Sequence, residues 1–300
     1  MLIIKDAKLL SGQKEVVRHI LIKDGKIFSI TKKLSKVTQE QIIDAQHNFV
    51  IPGMIDCHVH LRDMELAHKE DFLTGTKAAA AGGVTTVLDM PNSKPQTITA
   101  AALEQKRAVA KKAIVNYGFH FGCTPQFDPE EIKKAKNVAS TKLFMNPSTG
   151  NMCIEDGLLI NKIFQYSRMM CVHAEDEKVP VAVEYANKTK KRLYLCHLSL
   201  KSEVEFLKKN KTKNIFAEVC PHHLFLTNDD VQRLKGFGMM KPNLRRKEDQ
   251  EALWKAIHNG IIDTIGSDHA PHTKEEKMQD IACCPFGVPG LETTLPLLLN

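Results

Sequence analysis

From Val50 onward the chain alternates short apolar runs with longer stretches of helical pattern, and few folds accommodate that order. The apolar runs cover 50–60, 84–90, 115–123, 140–146, 169–175, 193–199, 214–220 and 262–269. Between them, 70–81, 99–112, 129–136, 155–167, 176–189, 201–209 and 248–259 read as helices. Eight strands separated in this way predict an α/β protein built as a (β/α)8 barrel, the TIM-barrel architecture. The rival, a doubly wound open sheet, calls for a Gly-rich phosphate loop after its first strand, and no such loop follows. Ahead of the barrel, 1–49 reads as short strands at 2–4, 9–10, 19–22 and 26–30, with Asp24-Gly25 as the hairpin turn between the last two. The expected organisation is a small β module over 1–49 and a barrel over 50–300.

A barrel of this kind carries its functional groups at the C-terminal ends of its strands. The polar residues here fall at those ends. The first strand closes on His58-Val59-His60-Leu61-Arg62, the second on Asp89-Met90-Pro91-Asn92, and the fourth carries Lys142. The fifth ends in His173-Ala174-Glu175, the sixth in Cys196-His197, the seventh in Glu218-Val219-Cys220-Pro221-His222-His223, and the eighth in Ser267-Asp268-His269-Ala270-Pro271-His272. Residues two apart on a strand point the same way, so His58 and His60 converge. A single strand-end histidine is more often a structural residue than a ligand. Four of them (His58, His60, His173 and His197), joined by Asp268 at the mouths of four strands, match the N/O donor set of zinc, with manganese or iron as alternatives.

Lys142 lies within an apolar strand. Burial is expected to lower its pKa and favour the neutral amine. Such an amine can take up carbon dioxide as a carbamate, an anion able to bridge two metals about 3.5–4 Å apart. The plainer alternative is a lysine that snorkels to solvent, and spacing alone favours it.

Composition narrows the function classes. Of 300 residues, 43% are hydrophobic and 26% charged, which is the balance of a soluble globular protein. No apolar stretch approaches the roughly 18 residues of a membrane span, and the charged N-terminus does not read as a signal peptide. A cytoplasmic protein without membrane contact is expected. The eight cysteines form no CxxC pair and read as reduced thiols. The net charge of +7 raises the question of nucleic acid. The lysines concerned (Lys106, Lys111, Lys112, Lys133, Lys134, Lys208, Lys209) lie scattered on helices without interleaved aromatics, so no nucleic-acid partner is expected.

The motifs together resemble the amidohydrolase superfamily and, within it, the class I dihydroorotases. The resemblance spans nearly the whole chain. It rests on the HxH segment through Arg62, on Gly82-Gly83-Val84-Thr85-Thr86-Val87-Leu88-Asp89-Met90-Pro91-Asn92, on Val172-His173-Ala174-Glu175, on the strand-seven and strand-eight motifs, and on Gly287-Val288-Pro289-Gly290-Leu291-Glu292-Thr293. It implies a zinc-dependent, reversible cyclisation of N-carbamoyl-L-aspartate to L-dihydroorotate in pyrimidine synthesis. It implies two zinc ions per subunit: His58, His60 and Asp268 on one, His173 and His197 on the other, and carboxylated Lys142 as the bridge. Asp268 would serve as catalytic acid and base, and Arg62, Asn92 and His272 would hold the small-molecule substrate. It also admits an aspartate transcarbamoylase partner and a homo-oligomer.

The sequence departs from that pattern in places. Asp63-Met64-Glu65 stands where many relatives have Glu-Pro-Gly. Lys241 stands where an asparagine or arginine contacts substrate, and it offers a point charge instead of a fork. Cys196 and Glu218 read as packing or as support behind the ligands. Relatives complete a small β-sandwich from both chain ends, so the expectation is that its C-terminal part and the last helix are missing here. Two rival functions remain open at this point: an allantoinase or hydantoinase, against which Arg62 and Asn92 argue, and a non-catalytic dihydroorotase-like scaffold, against which the complete ligand set argues.

Overall fold

The computed structural model describes residues 1–34, 41–148 and 150–300. It forms two compact units, Met1–Gly53 and Met54–Asn300. The first is a four-stranded sheet of β1 (Leu2–Ser11), β2 (Lys14–Lys23), β3 (Lys26–Thr31) and β4 (Gln41–Asp44), in the order β3-β2-β1-β4. The Asp24-Gly25 turn joins β2 to β3 with φ of 51° and 73°, the left-handed pair that a tight two-residue hairpin needs. The strand is continuous where the sequence pattern suggested two pieces, 2–4 and 9–10. Charged Lys5, Asp6 and Lys8 break the apolar pattern there, and the register shifts between Ile4 and Ala7 around Asp6, whose φ is 51°. The pattern also missed β4, whose four residues are all exposed and carry no alternation.

The second unit is the barrel. β5 (Met54–Val59), β6 (Val84–Asp89) and β7 (Asn116–Phe119) pair in parallel. β8 (Phe121–Gly122), β9 (Thr141–Phe144), β10 (Met169–His173), β11 (Arg192–Leu195), β12 (Ile215–Val219) and β13 (Thr264–Ile265) follow in one run. His120 carries β7 into β8, donating its N–H to Asp89 O at 2.9 Å, while Phe121 donates to Ser140 O at 2.9 Å. On the other side His60 N donates to His269 O at 2.7 Å beside the Val59–His269 bridge. The ladder therefore returns to its first strand, and the fold is the (β/α)8 barrel.

The helices are α1 (Phe72–Ala81), α2 (Ala100–Ala110), α3 (Pro129–Lys134), α4 (Gly157–Tyr166), α5 (Lys178–Thr189), α6 (Lys201–Asn210), α7 (Pro221–Phe225), α8 (Val231–Leu234), α9 (Lys247–His258), α10 (Lys274–Lys277) and α11 (Thr294–Leu299). Local chemistry sets their ends. Asp71 accepts from Thr74 N at 2.7 Å while Thr74 Oγ1 accepts from Asp71 N at 3.0 Å, a reciprocal cap that starts α1. Gly82 ends it where any Cβ would lie 2.0 Å from Leu291 O. Among the described residues no helix is long and apolar enough to cross a membrane.

Strand alternation sorts the side chains. Leu143, Val172, Leu195 and Val219 face outward into a shell completed by Ile160, Ile163, Phe164, Val179 and Val183 of α4 and α5. Each such burial contributes about 1.5–3 kcal/mol. Their neighbours Lys142, Cys171, Tyr194 and Glu218 fall on the opposite, interior face, where Lys142 and Glu218 have no exposed surface at all. The eighth strand is far shorter than the 262–269 run. At Gly266, where a Cβ would lie 2.2 Å from Glu218 Oε2, the backbone passes close to that carboxylate, and Asp268 has φ of 46° before His269 bridges Val59.

Asp89 and Lys106 tie the second strand to α2. Lys106 Nζ meets the Asp89 carboxylate and donates to Met90 O at 2.6 Å, and Asp89 Oδ1 accepts from Leu61 N at 2.7 Å. Both are buried, so removing the cation strands a carboxylate in the interior. Lys106→Met is expected to destabilise the chain by about 3–5 kcal/mol. Urea unfolding checks this, and a loss under about 1 kcal/mol would contradict it.

Candidate active site

β5 delivers His58 and His60 to one point. His58 Nε2 and His60 Nε2 each lie 3.1 Å from the same oxygen, Asp268 Oδ1. The outer nitrogens are held as well: His58 Nδ1 lies 2.8 Å from Glu218 Oε1, and His60 Nδ1 lies 2.7 Å from Asn92 Oδ1. Both partners are acceptors, so each imidazole carries a proton on Nδ1 and presents Nε2 to Asp268. Ligand atoms at about 2.0–2.1 Å from a metal stand roughly 3 Å apart, so the three donors fit one divalent ion. The electrostatics agree with a positive charge at this point. Burial pulls His58 down, but Glu218 and Asp268 hold it well above its ordinary value. Burial pushes Asp268 up, but His58 and His60 hold it well below the usual carboxylate range.

His173, at the end of β10, and His197, just past β11, form a second pair. His173 Nδ1 and His197 Nε2 face each other at 2.9 Å. Their far nitrogens, His173 Nε2 and His197 Nδ1, are buried without a hydrogen bond, and the Glu175 carboxylate stands 3.4 Å from the former. Burial keeps both rings below their ordinary pKa and so neutral. Two neutral imidazoles share at most one N–H···N bond, whereas a cation between them satisfies both facing lone pairs. The His58 and His197 ring centroids are 5.3 Å apart, so the two donor sets adjoin.

Lys142 rises from β9 into the same pocket, with Nζ 2.9 Å from Cys196 Sγ. The sequence led us to expect a depressed pKa. Burial does act in that direction, but Cys196, Cys171 and Glu218 outweigh it, and the net shift is upward. The lysine does not snorkel: its exposure is 0%.

Arg62, Asn92, Lys241, Phe144 and Gly287 line the rim, together with Ser148 and Phe286, which sequence reasoning did not single out. Lys241 Nζ rests 5.0 Å from the centroid of the Phe286 ring. His272 stands behind this rim. Its Nδ1 accepts from Lys69 Nζ at 3.0 Å, its Nε2 donates to Phe286 O at 2.9 Å, and Arg62 Nη2 lies 3.1 Å away. The loop at Asp63-Met64-Glu65 has its own brace: Asp63 accepts from Met64 N at 2.6 Å and Phe72 N at 2.9 Å and pairs with Lys112 at 3.0 Å. Lys277, also overlooked, donates from Nζ to Met239 O, Pro285 O and Gly287 O at 3.0, 2.8 and 2.8 Å, fastening the segments that bear Lys241 and Phe286.

Comparison with known proteins places this geometry among relatives. Residues 49–286 match the amidohydrolase family. The chain is 35% identical to a dihydroorotase of Methanosarcina acetivorans over 99% of its length and 73% of the relative's. It is likewise 35% identical to a dihydroorotase of Halobacterium salinarum, over 100% of this chain and 76% of that one. Among solved structures, the L-hydantoinase (dihydropyrimidinase) of Arthrobacter aurescens superposes with a TM-score of 0.91 at 30% identity, covering 100% of this chain and 76% of the other.

Two outcomes follow from the site. Glu218→Gln removes the anion behind His58 and is expected to weaken metal affinity about 10–100-fold. Chelator competition measures this, and an unchanged affinity would contradict it. Burial also depresses His120 to about 3 and His272 to about 4, from 6.5. The unfolded chain therefore binds protons that the folded chain refuses between pH 6.5 and the folded values, so stability drops as pH falls through that window. The urea midpoint should decline below pH 6.5, less steeply in His120→Asn. A midpoint that rises on acidification would refute the sign.

Proposed function

The chain belongs to the amidohydrolase family, and from that premise we propose that it is a dihydroorotase, closing N-carbamoyl-L-aspartate to L-dihydroorotate and opening the ring again. It is a hydrolase acting on C–N bonds of cyclic amides. The observation that carries the finer reading is that two cations, Arg62 and Lys241, line the same pocket as the four imidazoles and Asp268. Dihydroorotate carries a ring carboxylate that such a pair would bind, and hydantoin carries none.

Zinc suits the donors, which are imidazole nitrogens and carboxylate oxygens. His58, His60 and Asp268 would hold one ion and His173 and His197 the other. Lys142, once its Nζ has lost a proton and taken up carbon dioxide, would stand between them as an anion. When bound, the ions supply Lewis acidity, polarising an amide carbonyl and lowering the pKa of a nearby water. Asp268 takes the proton of the attacking water and returns it to the leaving ring nitrogen, and His58 and His60 keep it ionised beforehand. Arg62 offers a planar fork to the carboxylate, with Nε tied to Pro271 O at 3.0 Å so that the fork is aimed. Asn92 orients His60, and Phe286 and Ser148 wall the pocket.

A hydantoinase is the second reading, favoured by the likeness to the Arthrobacter aurescens protein. Steady-state hydrolysis of dihydroorotate and of hydantoin by the zinc-loaded chain separates the two. Turnover of dihydroorotate with little on hydantoin is expected, and the converse would overturn the proposal. Asp268→Ala should lower kcat by about 10²–10⁴-fold or more with an unchanged far-UV spectrum. Lys142→Ala should lose most of the second equivalent of zinc, and full zinc with full rate in that variant would rule out the bridging carbamate.

A further inference from the structure

Cys220, His222 and His223 lie where β12 runs into α7, and none of them lines the pocket described above. One donor atom from each falls within 4.8 Å of the other two, and all three residues are buried. His223 Nε2 donates to Pro242 O at 3.0 Å, which fixes the tautomer and leaves Nδ1 with a bare lone pair. That Nδ1 is enclosed and has no hydrogen-bond partner, and neither has His222 Nε2. His222 is 9% and His223 3% exposed. An unpaired buried nitrogen costs about 1–3 kcal/mol, and each such group in a native fold calls for an explanation such as an ion. Burial lowers His222 to about 3 and His223 to about 4, so both imidazoles are neutral, as ligation demands.

We propose that Cys220, His222 and His223 form a further cation site, separate from the pocket, that takes zinc or a similarly borderline divalent ion through one thiolate and two imidazoles. The thiolate makes this set softer than the pocket's donors and excludes magnesium and calcium. Ligand atoms around tetrahedral zinc stand about 3.3–3.8 Å apart, so side-chain rotations of about an ångström draw the three donors together. The His223–Pro242 bond belongs to the outer shell of this site. An ion here therefore fastens the end of β12 to the segment that carries Lys241. His222 also lines a cavity of about 290 Å³ with Phe237, Met240 and Val288. Burial, with Glu218 and Asp268 nearby, raises the Cys220 thiol well above its ordinary value. Binding thus displaces a proton and weakens as pH falls. The site does not depend on which cyclic amide the chain hydrolyses.

The test uses the full chain, stripped by chelator and reloaded with cobalt(II) alone. A sulfur-to-cobalt charge-transfer band in the near ultraviolet is expected in the parent chain. Cys220→Ser and His222→Ala should each reduce bound cobalt by one equivalent, with Cys220→Ser also abolishing the band. Cys196→Ser, which removes the thiol facing Lys142, should keep the band. Near-UV circular dichroism identifies any variant that has not folded, and His222→Ala decides the matter if Cys220→Ser is lost. Absence of a thiolate band in the parent chain means that water alone satisfies the two nitrogens, and it overturns the proposal. So does a band that survives Cys220→Ser or disappears in Cys196→Ser.

Discussion

One buried carboxylate organises the barrel mouth. Glu218 has no exposed surface, yet it accepts from His58 Nδ1 at 2.8 Å, from His197 N at 2.9 Å and from the Tyr194 hydroxyl at 2.6 Å. Those three partners come from β5, from the segment after β11, and from β11 itself. A buried anion is tolerated only when such donors surround it. The same bonds that stabilise Glu218 fix the tautomer of His58 and the backbone turn at His197. Asp56 does similar work one layer away, accepting from His58 N at 3.0 Å and Ser267 N at 3.2 Å, so the first and eighth strands share an anchor. The donor atoms of the site are thereby set by the folded barrel and need little rearrangement to act together.

The elements that repeat were legible in the sequence. Strand runs such as 141–144 within 140–146, and helices such as 201–210 against 201–209, follow directly from apolar period and length. Elements held by tertiary contact alone were not. β4 is exposed along its whole length, and its pairing with β1 leaves no mark on the hydrophobic pattern. The eighth run was expected to stay in the sheet to 269. The regular pairing stops at Ile265 and resumes only as the bridge of His269 to Val59, and between them Gly266 passes close to Glu218, a contact between residues 48 apart.

The site divides in the same way. His58, His60, His173, His197, Lys142 and Asp268 stand out in the sequence because polar residues at the ends of apolar strands are conspicuous, and the structure brings them around one pocket. What positions them was hidden. Asn92 was expected at the substrate, and in the structure it also holds His60 Nδ1. Lys277 resembles any other helical lysine until its three carbonyl partners are seen. The direction of the Lys142 shift was misjudged for a related reason. Burial can be inferred from an apolar strand, but the convergence of Cys171 of β10 and Cys196, just past β11, on the amine cannot.

Two adjoining donor sets in one pocket would together hold a pair of cations. Anomalous diffraction at the zinc edge from crystals of the zinc-loaded chain tests this most directly. Two peaks about 3.5–4 Å apart are predicted, one against His58, His60 and Asp268 and the other against His173 and His197. No density between these side chains, in a chain whose fold is otherwise as described, would contradict the account at its centre.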